Sequence, residues 1–300
     1  MKTLISQKLG DNMKKIAMLL LSVLMAFDFT GCAVRRATIE QNNEVHRIIS
    51  TSAPLCEMMD ELDLDLVGIP KTNFEIPARY RSVTEIGMPM APDLEIVKSL
   101  NPTDIITPNS LQYDLQPQYE SIGVPATFVN LMSIEGMFKS IEGLGKKYNR
   151  IEQANKMIEE YKHFMNDYTQ GTEDREPPKV LILMGLPGAY VVATEKSYVG
   201  SLVKLAGAVN VFQDETEAFL NLNTEAMLQT EPDIILRTAH AMPEMVMAEF
   251  EKNFRENDIW QHFRAVQEGK VYDLDYTMYG MSANLNYQKA LKHLQKLLYE

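Results

Sequence analysis

Short apolar runs alternate with amphipathic segments along the first half of the chain. Four of these runs have the length of buried strands, at 45–50, 65–69, 104–107 and 126–130. Apolar spacing of three and four residues predicts helices at 54–62 and 93–100, the second with Asp93 as its N-cap. A loop rich in proline and glycine occupies 70–92. This alternation is typical of a parallel sheet with crossover helices.

A different segment follows, in which helical spacing continues from residue 133 to about residue 168 without a proline. It predicts one helix over 133–169, roughly 50 Å long, which suits a rigid connection between two lobes. The α/β pattern then resumes with predicted strands and helices at 179–184, 200–206, 233–236, 271–274 and 286–298.

A short internal sequence repeat supports two related α/β lobes. Glu95 precedes Pro102 and an Asp-Ile-Ile strand in the first half, and Glu225 precedes Pro232 and a second Asp-Ile-Ile strand in the other half. We therefore predict an N-terminal lobe at 45–132, the connecting helix at 133–169 and a C-terminal lobe at 170–300. A cleft between lobes is the usual place for a ligand.

The N-terminus has the features of a targeting signal. Lys14 and Lys15 precede an apolar run of signal-peptide length, and small residues stand directly before Cys32, which resembles a bacterial lipobox. We expect a signal peptide at 1–31, lipidation of Cys32, and a polar tether at 32–44 at the extracellular face of the cytoplasmic membrane. The alternatives are a plain signal peptide with an incidental cysteine, and a start codon at Met13.

Charge and composition exclude several functions. The formal net charge is −12 and no basic run is present, which argues against nucleic acid as a partner and against broad adhesion to anionic lipid. The second cysteine, Cys56, lies in an apolar setting and is assigned no chemistry. No phosphate-binding loop or hydrolase elbow is present, and the five histidines are scattered.

Two loops could supply ligands to one cleft. The first, at 87–93, contains Met88 and Met90, and the second, at 237–243, follows a predicted strand and contains His240. Ligands of α/β sheets bind beyond the carboxyl ends of strands. Thioether and neutral imidazole are an established axial pair for haem iron. The alternative is that these are ordinary surface residues, since the chain has 19 methionines.

The chain resembles a known family in several stretches, among them GMPMAPDLEIVKSLNPTDII, KVLILMGLPGAYVVATEKSYVGSLVKLAG and PDIILRTAHAMPE. It is similar to the haem-binding lipoproteins of Gram-positive Isd uptake systems. Those are the substrate-binding components of haem ABC importers. The resemblance implies a class III periplasmic-binding-protein fold, with two Rossmann-like lobes joined by a single long α-helix and shared with siderophore and cobalamin receptors.

The resemblance also implies site residues. Iron of haem b is expected between Met90 and His240, with Met88 as the alternative to Met90. Thr51, Ser52, Tyr198 and the 185–190 loop are candidates for the propionate groups. Tyr113 and Tyr279 either pack on the porphyrin or belong to the aromatic core.

The wider class docks on its permease through one glutamate on each lobe, and the matching residues are Glu95 and Glu225. Favourable interaction with a helix dipole is the alternative role for both. The expected function is capture of haem from cell-surface donor proteins and delivery to an ABC permease, without enzymatic activity. The alternatives are a siderophore or cobalamin receptor and, less favoured, a haem-modifying enzyme.

Overall fold

The computed structural model describes residues 46–169 and 176–299. The predicted signal peptide at 1–31, Cys32 and the tether at 32–44 lie outside the described residues. Within the described ranges, no helix combines the length and the apolar character that crossing a membrane requires.

A five-stranded parallel sheet forms the first half of the described chain, residues 46–150, here called the N-lobe. The strands of this lobe are β1 (Ile48–Ser50), β2 (Leu66–Ile69), β3 (Thr84–Glu85), β4 (Gly87–Met88), β5 (Ala91–Pro92), β6 (Asp104–Pro108) and β7 (Ala126–Val129). The sheet has the order β3-β2-β1-β6-β7, and β4 and β5 form a separate antiparallel hairpin. Alternate residues of β1 and β6 enter different core clusters, Ile48 and Ile106 in one and Ile49 and Ile105 in the other, so the sheet is buried on both faces.

The N-lobe helices include α1 (Ala53–Glu61), α2 (Leu94–Ser99) and α3 (Gln112–Ser121). The α1 helix buries Leu55, Met58 and Met59 against the sheet. The predicted N-cap of α2 is confirmed, because the Asp93 carboxylate accepts hydrogen bonds from the backbone N–H groups of Glu95 (3.0 Å) and Ile96 (3.1 Å).

The segment predicted as one long helix is two helices, α4 (Ile134–Lys147) and α5 (Ile151–Thr169). They fold back on one another, since the rings of Phe138 and Tyr161 stack with centroids 4.3 Å apart. A continuous helix would hold the same residues roughly 35 Å apart. The predicted extent is therefore wrong: α4 belongs to the N-lobe, and α5 alone, about 28 Å long, leads to the second half of the chain.

Local contacts explain the break between α4 and α5. Asn149 adopts a left-handed backbone conformation with φ of 54°, which asparagine tolerates well after a helix. The Tyr148 hydroxyl and the Lys147 ammonium both donate to the buried carboxylate of Asp104, which fixes the end of α4 against β6. Burial, together with the Asp104 contact, raises the pKa of the Tyr148 hydroxyl, so it remains a donor.

The second half of the described chain, residues 176–299, is here called the C-lobe. Its strands are β8 (Lys179–Leu186), β9 (Ala189–Ala193), β10 (Val209–Asn210), β11 (Phe219–Leu220), β12 (Ile234–Ala239) and β13 (Val271–Asp273). The order is β11-β9-β8-β12-β13, with β10 paired to β8. Strands β8, β10, β12 and β13 are parallel, and β9 returns antiparallel to β8.

Five helices of the C-lobe pack around this sheet: α6 (Tyr198–Leu205), α7 (Thr224–Leu228), α8 (Pro243–Glu256), α9 (Arg264–Gln267) and α10 (Tyr287–Tyr299). The amphipathic α10 buries Leu291 and Leu294 in the same cluster as residues of α4 and α6. The main core therefore runs without interruption from one lobe into the other.

Candidate functional site

The carboxyl ends of the parallel strands of both sheets meet at one segment, residues 274–286 between β13 and α10, here called the strap. On the N-lobe side, the Leu131 carbonyl, which follows β7, accepts a hydrogen bond from the Ala283 N–H (2.8 Å). On the C-lobe side, the Thr238 hydroxyl of β12 donates to the Tyr279 carbonyl (2.9 Å). Ligand sites of α/β folds lie beyond such carboxyl ends, so the strap marks the region in which a cleft ligand would lie.

Contacts from other N-lobe loops end on the same strap. The ring of Phe74, in the loop after β2, meets the ring of Tyr276 edge-on with centroids 5.6 Å apart. The Glu57 carboxylate of α1 accepts a hydrogen bond from the Leu285 backbone, while burial raises the pKa of this carboxyl group. The edges of both sheets are therefore held close together in this structure.

The N-lobe part of the site is the crevice between β1 and β6, where the strand order reverses. Thr51 and Ser52 directly follow β1, and the Thr51 hydroxyl donates to the Thr107 hydroxyl (2.8 Å). Ser52 precedes α1 but its side chain does not cap that helix, and its buried Oγ has no hydrogen-bond partner. The first backbone N–H groups of a helix have no partner within the helix. Several polar groups with unused hydrogen-bonding capacity therefore lie close together at this strand end.

Asn109 adds a polar group that the sequence analysis did not select. It directly follows β6, the neighbour of β1, and its buried Oδ1 also has no partner. A groove of about 570 Å³ extends from Asn109 across α3 to Tyr113 and Gln116. The only available signal was an asparagine immediately after a buried strand.

The two candidate thioethers lie on the β4–β5 hairpin, which follows β3 at the same edge of the sheet. Met88 pairs with Ala91 in the hairpin ladder, and Met90 occupies the two-residue turn after Pro89. Their side chains are 61% and 66% exposed, among the most exposed large hydrophobic groups in the described residues. The hairpin therefore presents both sulfur atoms to solvent rather than to the core.

The candidate imidazole lies at the corresponding edge of the C-lobe. His240 directly follows β12, and its backbone N–H donates to the Gly185 carbonyl of β8 (3.0 Å). Its side chain is half-buried, and desolvation lowers its pKa below the usual value. The imidazole is therefore neutral at pH 7 and suitable as a metal ligand.

Two of the aromatic candidates are buried in the core. Tyr198 is fully buried in the main cluster, where α6 packs against α10. Tyr279 is also fully buried, and its hydroxyl donates to the Ala290 carbonyl (2.7 Å). Neither side chain reaches the surface in this structure. Tyr113 behaves differently, because it is 92% exposed at the start of α3.

The two predicted docking residues occupy equivalent positions. Glu95 lies in the first turn of α2 and Glu225 in the first turn of α7, and both are exposed. Each helix leads directly into a parallel strand, β6 or β12. Crossover helices run opposite to the strands, so both glutamates lie at the level of the carboxyl edges, one on each lobe.

A second cavity, of about 400 Å³, lies within the C-lobe between β9 and α8. Tyr190, Glu249 and Phe250 are among its lining residues, and Met90 and His240 are not. In the ranges that the structure describes, no cluster of three or more His, Cys, Asp or Glu side chains could hold a metal ion.

The comparisons with known proteins agree with this architecture. A family model for periplasmic binding proteins matches residues 48–277. The chain belongs to the periplasmic binding protein family. The high-affinity heme uptake system protein IsdE of Staphylococcus aureus (strain Newman) is 40% identical over 292 residues, which cover 96% of this chain and 98% of that protein.

Solved structures of family members show the same similarity. The crystal structure of S. aureus IsdE complexed with heme is 41% identical, with a TM-score of 0.82, and the match covers 85% of this chain and 99% of that one. An ABC transporter substrate-binding protein from Listeria monocytogenes EGD-e is 44% identical, with a TM-score of 0.81 and coverage of 85% and 98%. The predicted resemblance and the class III fold are confirmed, and family membership bears out a binding protein rather than an enzyme.

Proposed function

We propose that this chain binds haem between its two lobes and delivers it to the permease of an ABC importer. The observation that carries the proposal is the similarity to IsdE complexed with heme, at 41% identity over 99% of that chain. No chemical step is needed, since capture and release are sufficient for a substrate-binding protein.

Met90 and His240 are the proposed axial ligands of the iron. Their loops follow β3 and β12, at the carboxyl edges that the strap joins. The neutral imidazole of His240 supplies a nitrogen donor, and the exposed thioether of Met90 supplies a soft, uncharged donor from the other lobe. Met88 remains the alternative sulfur donor, because it lies on the same hairpin and is exposed to a similar degree.

Thr51 and Ser52 are the proposed partners of the haem propionates. The unpartnered Ser52 hydroxyl and the first turn of α1 form a local environment that favours a carboxylate. Asn109, on the neighbouring strand end, adds a second polar side chain. Tyr198 remains a further proposed partner, because its side chain is as buried as that of Thr51 and its hydroxyl, like that of Ser52, has no hydrogen-bond partner in the described residues.

Glu95 and Glu225 are the proposed contacts with the permease. They are exposed in the first turn of equivalent helices, one on each lobe, so a single docking event could engage both. We further propose that lipid on Cys32 holds the protein at the extracellular face of the cytoplasmic membrane. There it would receive haem from cell-surface donor proteins.

Titration of the purified protein with a panel of ligands tests this proposal. We expect haem to bind at a ratio of one to one with a shifted Soret band, and a ferric siderophore and cobalamin to leave no trace of binding. A protein that binds cobalamin or the siderophore but not haem would overturn the proposal. Adding a reductant to the complex should leave haem intact, whereas turnover of haem would indicate an enzyme.

A further inference from the structure

The exposed apolar side chains of the described residues are concentrated at one edge of the molecule. The large ones are Phe74, Met88, Met90, Tyr113, Ile151, Met242 and Met245. All except Ile151 lie in loops, first helical turns or the β4–β5 hairpin, each following the carboxyl end of a strand. Both lobes therefore place exposed apolar groups beyond the strand ends where haem is proposed to bind, as a flat apolar ligand requires.

Met242 is unusual within this set because of its backbone. It lies two residues after His240 and adopts a left-handed conformation, with φ of 47° and ψ of 54°. Among the described residues, the other non-glycine positions with positive φ are Asp63, Asn101, Asn149 and Glu231. Each of those follows the end of a helix by two or three residues, where this conformation is common. Met242 instead precedes a helix.

Methionine is also a poor choice for folding at this position. Met242 is the N-cap of α8, and its side chain makes no capping hydrogen bond. Asparagine, aspartate and serine are the usual N-cap residues, and asparagine also tolerates the left-handed conformation. The side chain is nevertheless 59% exposed, so packing in the core does not explain it. A residue with an unfavourable backbone conformation and no helix cap, and with no packing contact to compensate, is typical of a functional surface.

Resting on the proposed haem function, we propose that Met242 is a haem-contact residue that packs on the porphyrin beside the His240 ligand. Its flexible apolar side chain would be covered by the macrocycle, adding buried area on the C-lobe side of the cleft. The role is one of apolar contact, so the size of the side chain matters and its sulfur atom does not. The residue would thus slow the release of haem rather than coordinate iron.

Stopped-flow transfer of haem to excess apomyoglobin measures the release rate in wild-type protein and in Met242→Asn, Met242→Leu and Ile151→Asn. We expect Met242→Asn to release haem about tenfold faster. The apoprotein of this variant should melt roughly 2–4 °C higher, because asparagine tolerates the left-handed backbone better than methionine does. Met242→Leu and the control Ile151→Asn should release haem within about twofold of the wild-type rate.

The proposal is overturned if Met242→Asn releases haem at the wild-type rate, or if Met242→Leu is as fast as Met242→Asn. Faster release from Ile151→Asn as well would also overturn it, because the effect would then not belong to the cleft. Failure of the wild-type protein to take up haem at all would reject the proposed function itself, and the two failures are thereby distinguished.

Discussion

At the scale of single residues, burial prepares His240 for its proposed role. Half-burial at the end of β12 lowers the pKa of the imidazole, and the backbone bond to Gly185 fixes where the residue leaves the sheet. A protonated imidazole cannot bind iron, so a lowered pKa extends binding toward acidic pH. The same desolvation lowers the free energy of unfolding of the apoprotein at acidic pH.

That effect gives a prediction about pH and stability. Because folding lowers the pKa of His240, the unfolded chain binds its proton more readily, and the free energy of unfolding falls as pH decreases below about 6.5. Denaturant unfolding of the apoprotein at pH 7.5 and pH 5 should show a smaller loss in His240→Asn than in wild type. Equal losses in wild type and His240→Asn would contradict the prediction.

The sequence could nominate site candidates only by their place beside a predicted element. His240 follows a predicted strand, and Met88 and Met90 lie in the loop that leads into the predicted helix at 93–100. Tyr198 and Tyr279 could not be placed in this way, because a tyrosine near a strand end or loop serves equally in a core or in a site. Their burial depends on how α6 and α10 pack, which is a tertiary property.

At the scale of elements, the α4–α5 hairpin depends on close approach at its turn. A Cβ added at Gly145 would lie 2.5 Å from the Ala154 Cβ and 3.1 Å from the Arg150 carbonyl oxygen. Gly143, two residues earlier in the same helix, has no such neighbour within 4 Å. Packing therefore requires glycine at position 145, whereas glycine at position 143 is only tolerated.

Alanine at these two glycines should have opposite effects on stability. Gly143→Ala should raise the free energy of unfolding by about 0.5–1 kcal/mol, since alanine favours a helix more than glycine does. Gly145→Ala should lower it by about 1–3 kcal/mol, because neither Ala154 nor the backbone can move aside cheaply. Denaturant titrations of the two variants measure both values. Stabilisation by Gly145→Ala would show that the helices do not pack as described.

The break between α4 and α5 could not be predicted from apolar spacing. Helical periodicity marks which residues face a core, and both helices of a hairpin face the same core. The turn at 148–150 contains neither proline nor glycine, and it forms because Asp104 binds Tyr148 and Lys147 from a distant strand. The strands, in contrast, were predictable, because a short apolar run bounded by turn residues has few alternative secondary structures.

At the scale of the whole molecule, the two carboxyl edges are joined by the strap, which lies between β13 and α10. Residues 274–286 contact the end of β7 on one lobe and β12 on the other. The internal sequence repeat predicted equivalent positions for Glu95 and Glu225. Both residues occupy the first turn of a helix that leads into a parallel strand. The proposed docking residues are therefore distinct from the proposed haem ligands, although both sets lie at the carboxyl edges.

Variants of the two glutamates should therefore affect transport without affecting haem binding. We expect Glu95→Ala combined with Glu225→Ala to keep wild-type haem affinity and to lose most stimulation of ATP hydrolysis by the permease reconstituted in vesicles. Glu152→Ala is the matched control, since Glu152 is also exposed in the first turn of a helix, α5, and should retain stimulation. Full stimulation by the double variant would reject these residues as docking contacts.

The ligand assignment is tested most directly by the Soret spectrum and haem affinity of five proteins: wild type, Met88→Ala, Met90→Ala, His240→Ala and the combined variant Met90→Ala with His240→Ala. Loss of an axial ligand changes the electronic structure of the iron and removes binding energy. The spectrum should therefore shift, with affinity falling at least about tenfold, for Met90→Ala and for His240→Ala. Met88→Ala should match wild type. An unchanged spectrum and affinity in the combined variant Met90→Ala with His240→Ala would contradict the account.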